Sequence, residues 1–311
     1  MGQRSAYRPR RRFVRRVRTA AVALVCGGVL VACGGGSTDP DPTGTPSAAS
    51  SGSESSGSAG STRVARPPSR TQQYLPGLQA DVWEPATPAP GPLVVLIPGG
   101  GWVSADRAGL APLASALSDD GMTVVSATYR TSSDDEYFPA PLEDVLCAVA
   151  FAAAVPTATG DAPHPVVVVG HSAGANLAAL AALVPEGAGE SCPYQAVAPD
   201  ALVGLAGPYD VAQLPEIAVA LFGASAEDEP GRWEDGNPVL HAGGREDVPV
   251  LLLHGEDDPV VPVFFTTEFA AALEDGGHDT TVEIVPGTDH SGIYQVDVAA
   301  DRIIDWVDTL P

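Results

Sequence analysis

Ser172 sits between two glycines in Gly170-His171-Ser172-Ala173-Gly174, directly after the apolar run 166–169. A G-x-S-x-G pattern on a strand-to-helix turn lifts a serine hydroxyl clear of a sheet, where it can attack an acyl carbon. The glycines leave room for a turn too tight for side chains beside the serine. The helix expected over 173–183 aims its first amides at the same spot and favours negative charge there. In a chain with 34 glycines the pattern alone is weak. The partners such a serine needs are therefore decisive: a base, a carboxylate to orient it, and donors for an oxyanion.

Three further segments carry those residue types. Pro98-Gly99-Gly100-Gly101-Trp102 follows the apolar run 93–97. Its glycines let backbone amides approach a substrate oxygen, and the amides of Gly100 and Gly101, with that of Ala173, are candidate oxyanion donors. The plain alternative is a flexible glycine turn. Trp102 is a candidate wall for an acyl or aromatic pocket; otherwise it packs in the core or on the surface. The second segment, His254-Gly255-Glu256-Asp257-Asp258-Pro259-Val260-Val261-Pro262, follows the run 250–253 and offers a carboxylate. The third, Gly287-Thr288-Asp289-His290-Ser291-Gly292, offers His290 as general base. Among the six histidines, His254 is expected to bond locally and His171 to point away from the site. His164, His241 and His278 are expected at the surface. The order serine, acid, histidine is one of three known for serine triads. No metal-ligand spacing is visible, so neither a metal nor a cofactor is expected.

These loops need a scaffold that brings them together. The run 93–97 is continuously apolar, as a strand buried on both faces should be, whereas 79–83 alternates. Further strands are expected at 123–128, 166–169, 201–205, 250–253 and 281–285. Helices are expected near 108–117, 141–153, 173–183, 263–274 and 296–307. Alternating strands and helices imply an α/β fold, a mostly parallel sheet with helices on both faces. Right-handed crossovers place its functional loops at the carboxyl ends of the strands. Residues 208–247 break the rhythm with Pro, Gly and acids, and are either a small cap over the site or a surface loop; a cap is the expectation.

The first third of the chain reads differently. Eight of the 16 basic residues, all arginine, lie between Arg4 and Arg18, before an apolar run from Ala20 to Val31. That is the layout of a secretory signal over 1–32. Arg10-Arg11-Arg12-Phe13-Val14 fits either a twin-arginine export signal or a merely basic leader. Leu30-Val31-Ala32-Cys33 resembles a bacterial lipobox, which makes Cys33 a candidate lipidation site and the membrane a partner through that anchor. Residues 34–62, rich in Ser, Gly, Thr and Pro, bury too little apolar surface to repay ordering, so 33–69 is expected to be a tether. The globular domain is expected over 70–311. Without the signal, eight arginines face 39 acids, which excludes nucleic acid as a partner. Cys147 and Cys192 remain in an exported chain, where disulfides persist, and are expected to pair; two buried free thiols are the alternative.

Residues 73–311 resemble the α/β-hydrolases, in particular the hormone-sensitive-lipase-like and feruloyl-esterase-like carboxylesterases. The resemblance is carried by the glycine loop, the elbow, Tyr129-Arg130, and Pro139 five residues before Asp144. It is carried also by His254, Gly255, Asp258, Val261 and Pro262 of the acid loop. It implies that Asp258, not Asp257, is the acid. Pro98 departs from the histidine these proteins place before the glycines, and the long N-terminal cap of the group is missing.

The resemblance implies a serine carboxylic ester hydrolase with Ser172, His290 and Asp258 in their respective roles. Its expected substrate is a small ester with a short or small aromatic acyl group. The chain is expected to be exported and to sit as a lipoprotein outside the cytoplasmic membrane. A serine peptidase or amidase would usually carry a further glycine where Ala175 stands. An inactive surface binding protein would usually have lost one of the three residues.

Overall fold

Apolar runs become the middle of a sheet when each side chain finds a helix on whichever face it points to. The computed structural model describes residues 65–87, 90–155, 165–185, 189 and 191–311. The signal segment, Cys33 and the stretch 34–62 lie outside the described residues. The strands are β1 (Arg70–Leu75), β2 (Leu78–Trp83), β3 (Leu93–Ile97), β4 (Thr123–Ala127), β5 (Val166–His171), β6 (Ala201–Leu205), β7 (Val250–Gly255) and β8 (Thr280–Val285). The helices are α1 (Ala111–Asp119), α2 (Ala140–Ala154), α3 (Ala173–Leu183), α4 (Pro215–Phe222), α5 (Pro230–Asp235), α6 (Phe264–Gly276) and α7 (Val296–Val307). The strands form one eight-stranded sheet in the order β1-β2-β4-β3-β5-β6-β7-β8. Only the β1/β2 and β2/β4 pairs are antiparallel. This is the α/β-hydrolase architecture that the resemblance implies.

Strand alternation sorts the core into two layers. Leu93, Val95 and Ile97 of β3 join Val166, Val168, Leu202 and Leu252 against α2, α3 and α6. Val94 and Leu96 join Val167, Val169, Val203 and Leu253 against α1 and α7. Every residue of α3 is buried. Its six alanines are small enough to let it lie close to both α2 and the sheet.

Two pairings decide where the loops meet. β3 is hydrogen-bonded to β5 in parallel, so the glycine loop and the serine turn leave the sheet side by side. β7 is paired with β8 up to Gly255↔Val285, so the acid and histidine loops also emerge together.

The globular unit begins earlier than residue 70. Arg66 donates its backbone N–H to Ser115 Oγ at 2.8 Å and its guanidinium to Asp119 at 2.6 Å, while its carbonyl accepts from Trp83 Nε1. The tether expected through residue 69 therefore stops short of Arg66, because specific donors tie the chain to α1. β1 itself was not anticipated; Thr71, Gln72 and Gln73 are exposed on this edge strand and carry no apolar alternation.

Cys147 of α2 and Cys192, just past α3, are joined as a disulfide spanning 45 residues. Closing a loop of that size stabilises a fold by about 4 kcal/mol in the chain-entropy description. Cys147→Ser with Cys192→Ser should lower the denaturant midpoint accordingly, with little change in rate constants because neither sulfur lines the pocket. An unchanged midpoint in urea titrations would contradict this.

Segment 208–247 folds into α4, α5 and two turns of 3-10 helix, Val211–Gln213 and Pro238–His241. Leu221, Phe222 and Trp233 anchor it in the core, with Phe222 and Trp233 stacked at 4.3 Å. Prolines and glycines cut it into pieces too short for a readable helical period.

Candidate active site

The sharp turn at Ser172 is visible in its backbone, with φ 53° and ψ −122°. A side chain in that region costs about 1–3 kcal/mol and persists only where the surroundings enforce it. The surroundings are the two flanking glycines. A Cβ on Gly170 would lie 2.3 Å from the carbonyl oxygen of Gly174, and one on Gly174 would lie 2.2 Å from that of Ile97. The elbow thus packs backbone on backbone, between β5, α3 and the end of β3.

Ser172, His290 and Asp258 are brought into one hydrogen-bonded line. Asp258 Oδ2 accepts from His290 Nδ1 at 2.7 Å. That fixes the proton on Nδ1 and leaves the Nε2 lone pair to accept from Ser172 Oγ at 2.9 Å. Asp258's carboxylate is fully enclosed. Its Oδ1 accepts from the amides of Val260 and Val261, at 2.8 and 2.9 Å, so the acid is held from the backbone side as well. Asp257 is exposed, and its backbone N–H bonds to the Thr288 carbonyl.

His254 bonds locally, as expected. Its Nε2 donates to the Val261 carbonyl at 2.8 Å and lies 3.2 Å from Asp258 Oδ2, while Nδ1 meets Thr266 Oγ1 at 2.6 Å. Burial is the largest influence on it and pushes its pKa down, so it stays neutral beside the acid.

Two histidines are not where the sequence reading placed them. His171 lines the pocket and bonds to the His290 backbone. His278 is buried, with Nδ1 2.9 Å from the Val248 carbonyl, because the chain leaving α6 folds under β7. His241 accompanies the Pro238–His241 turn and is part-exposed; His164 lies outside the described residues.

The glycine loop supplies donors without acceptors. The carbonyl of Gly100 accepts from Val103 and Ser104 within the loop. The amides of Gly100, Gly101 and Ala173 make no hydrogen bond to another described group, and all three residues line the pocket with Ser172. Ala173 opens α3, so its amide has no helical acceptor. Gly100 needs its missing side chain: at φ 136° a Cβ would lie 2.2 Å from the Ser104 carbonyl oxygen.

Proline at 98 leaves the loop without a histidine anchor, and other groups take that part. Tyr129 donates its hydroxyl to the Pro98 carbonyl at 2.9 Å. Ser132 donates to the Trp102 carbonyl from both N–H and Oγ, and Thr131 and Ser133 donate to the Val103 carbonyl. Behind them Arg130 makes three bonds to the enclosed carboxylate of Asp144. None of these anchors was singled out as such from sequence. The usable signal was a Thr-Ser-Ser run after the strand that neighbours β3.

The pocket over this site measures about 370 Å³. Trp102, Leu110, Leu214, Ile217 and Val260 give it apolar walls; among the described residues Asp106 is the one carboxylate in its lining, and no arginine lines it. Trp102 also packs into the core and is 2% exposed, so it borders the pocket from the core rather than lying on the surface. From segment 208–247 only Pro208, Leu214 and Ile217 reach the pocket. Glu227, Asp228, Glu229, Glu234, Asp235, Glu246 and Asp247 are exposed and do not line it, so the acids expected over the site face solvent instead.

The chain is similar to known proteins in both sequence and fold. The family described as BD-FAE matches residues 80–273. Esterase LipQ of Mycobacterium tuberculosis is 31% identical over 216 residues, which cover 64% of this chain and 50% of that protein. Esterase LipC of the same organism is 32% identical over 220 residues, 64% of this chain and 52% of that protein. The chain thus spans about half the length of these curated relatives. Among solved structures, a truncated carbohydrate esterase from gut microbiota superposes with TM-score 0.64 at 20% identity, covering 74% of this chain and 89% of that one. The butyrate-bound esterase Est2 of Thermogutta terrifontis gives 0.60 at 22% identity, covering 74% and 87%. At those identities the likeness is one of fold.

Proposed function

The chain belongs to the BD-FAE family, and from that premise we propose that it is a serine carboxylic ester hydrolase acting on small esters with a short or small aromatic acyl group. The observation that carries this is the line Ser172–His290–Asp258 facing a pocket rimmed by three amides without acceptors. Ser172 Oγ attacks the ester carbonyl while His290 Nε2 takes its proton. The oxyanion is met by the amides of Gly100, Gly101 and Ala173, each worth a few kcal/mol in the transition state. His290 then protonates the departing alcohol, and water cleaves the acyl-enzyme by the same steps in reverse. Asp258 keeps the imidazole in its working tautomer and stabilises its cation.

The pocket volume sits at the lower end for small-molecule sites, which favours compact acyl groups. A series of p-nitrophenyl esters tests the reading. kcat/KM should peak at about C2 to C6. A maximum at C10 or longer, with activation at a lipid surface, would replace it with a lipase.

We propose further that the protein is exported and held at the membrane through Cys33, on the strength of the arginine-rich leader, the apolar run and the Leu30-Val31-Ala32-Cys33 sequence. Cys33→Ser should move it from the membrane fraction to the soluble one or leave it unprocessed; unchanged membrane fractionation would refute the anchor.

A further inference from the structure

His171 is 7% exposed, and its Nε2 lies 2.9 Å from the backbone carbonyl oxygen of His290, 119 residues away in sequence. A carbonyl oxygen only accepts, so Nε2 carries a proton. Burial first, and the neighbouring His290 second, push the ring's pKa down to about 4. Near neutral pH the ring is therefore uncharged and Nδ1 keeps its lone pair. The ring centroid is 4.8 Å from that of His290 and 4.5 Å from that of Tyr294. On another side, a Cβ on Gly99 would fall 2.9 Å from His171 Nδ1 and 2.9 Å from Ser172 Cβ. The glycine loop thus lies directly against the same ring.

We propose that His171 is a positioning residue: its Nε2–H holds the backbone of the base, and its ring keeps the base loop and the oxyanion loop at a fixed separation across the nucleophile. The inference rests on the esterase reading above and names how that site is held. The side chain of His290 is tied at one end by Asp258, but its backbone belongs to a loop between β8 and α7. A backbone free to drift would carry Nε2 away from Ser172 even with the Asp258 bond intact. A displacement of about 1 Å in such a line costs on the order of a hundredfold in rate. His171 itself touches no reacting atom in this scheme.

Two substitutions separate this role from simple packing. In His171→Gln the side-chain amide nitrogen reaches the place of Nε2. In His171→Asn it reaches only the place of Nδ1, too short for the His290 carbonyl. Thermal midpoint, kcat and KM on p-nitrophenyl butyrate are measured for both and for the native chain. The Asn variant should lose roughly 10- to 100-fold in kcat with KM within about twofold, and the Gln variant should recover most of that loss. Equal losses in the two variants, native rates in both, or a loss confined to KM would each overturn the proposal. A native chain that hydrolyses no ester would overturn the esterase reading itself, and the positioning role with it. Native turnover with indistinguishable variants would overturn the positioning role alone.

Discussion

Ser172→Ala should reduce kcat on p-nitrophenyl butyrate by roughly a millionfold, leaving a folded protein that no longer reacts with a fluorophosphonate. The substitution removes one oxygen and nothing else. Alanine at φ 53° meets the same steric conflict as serine, and Gly170, Gly174 and the α3 contacts are untouched. The hydroxyl's one hydrogen-bond partner, His290 Nε2, borders the pocket and can be rehydrated. What survives is the set of amides at Gly100, Gly101 and Ala173, which can still polarise a bound carbonyl. That residual stabilisation is why such variants keep a rate well above uncatalysed hydrolysis. His290→Ala should cost a similar factor, and the double variant hardly more, since the two act as one unit. The two single variants would differ in stability: without His290, the enclosed Asp258 keeps only the Val260 and Val261 amides and His254. A folded Ser172→Ala protein with near-native turnover would remove the basis of the mechanism.

The parts of the fold that could be read from sequence are those where one physical demand dominates. β3, β5, β6 and β7 are buried on both faces, so they had to be apolar runs. Gly170 and Gly174 of the elbow and Gly100 of the glycine loop had to be glycine, because other backbone stands about 2 Å from where a Cβ would be. His290 and an acid on the neighbouring loop follow from those loops' places after β8 and β7, whereas the choice of Asp258 over Asp257 rests on the family resemblance. Elements ruled by several weak demands were not readable. β1 is a half-exposed edge, and α4 and α5 are short helices between prolines and glycines. His171 was misjudged for a more specific reason. β5 runs two residues past its valines, to His171. Alternation then puts His171 on the side of Val167 and Val169, the side that α7 covers and near which Tyr294 packs. Extending the strand by those two residues would have pointed the ring toward the histidine loop.

Asp258→Asn should lower kcat by about four orders of magnitude, while Asp257→Asn should change it by less than about twofold. The difference lies in how each oxygen is occupied. Asp258 Oδ1 accepts two backbone amides and Oδ2 faces His290 Nδ1 and His254 Nε2. An asparagine has one acceptor and one donor. If its oxygen keeps the Val260 and Val261 amides, its NH2 confronts two ring nitrogens that both carry protons. His254 cannot yield, because its Nε2–H is committed to the Val261 carbonyl and its Nδ1 to Thr266. His290 must then move its proton to Nε2, where it meets the Ser172 hydroxyl as a donor and can no longer accept its proton. If the amide flips instead, the NH2 confronts two backbone N–H groups in a fully enclosed site. Either orientation disables the base or the loop that carries the acid. Asp257 has no such bind, since its side chain is exposed and only its backbone N–H is used. Steady-state kcat on a short ester, measured beside the thermal midpoint of each variant, decides the matter. A larger loss at Asp257 than at Asp258 would mean that the acid is one residue earlier than the geometry places it.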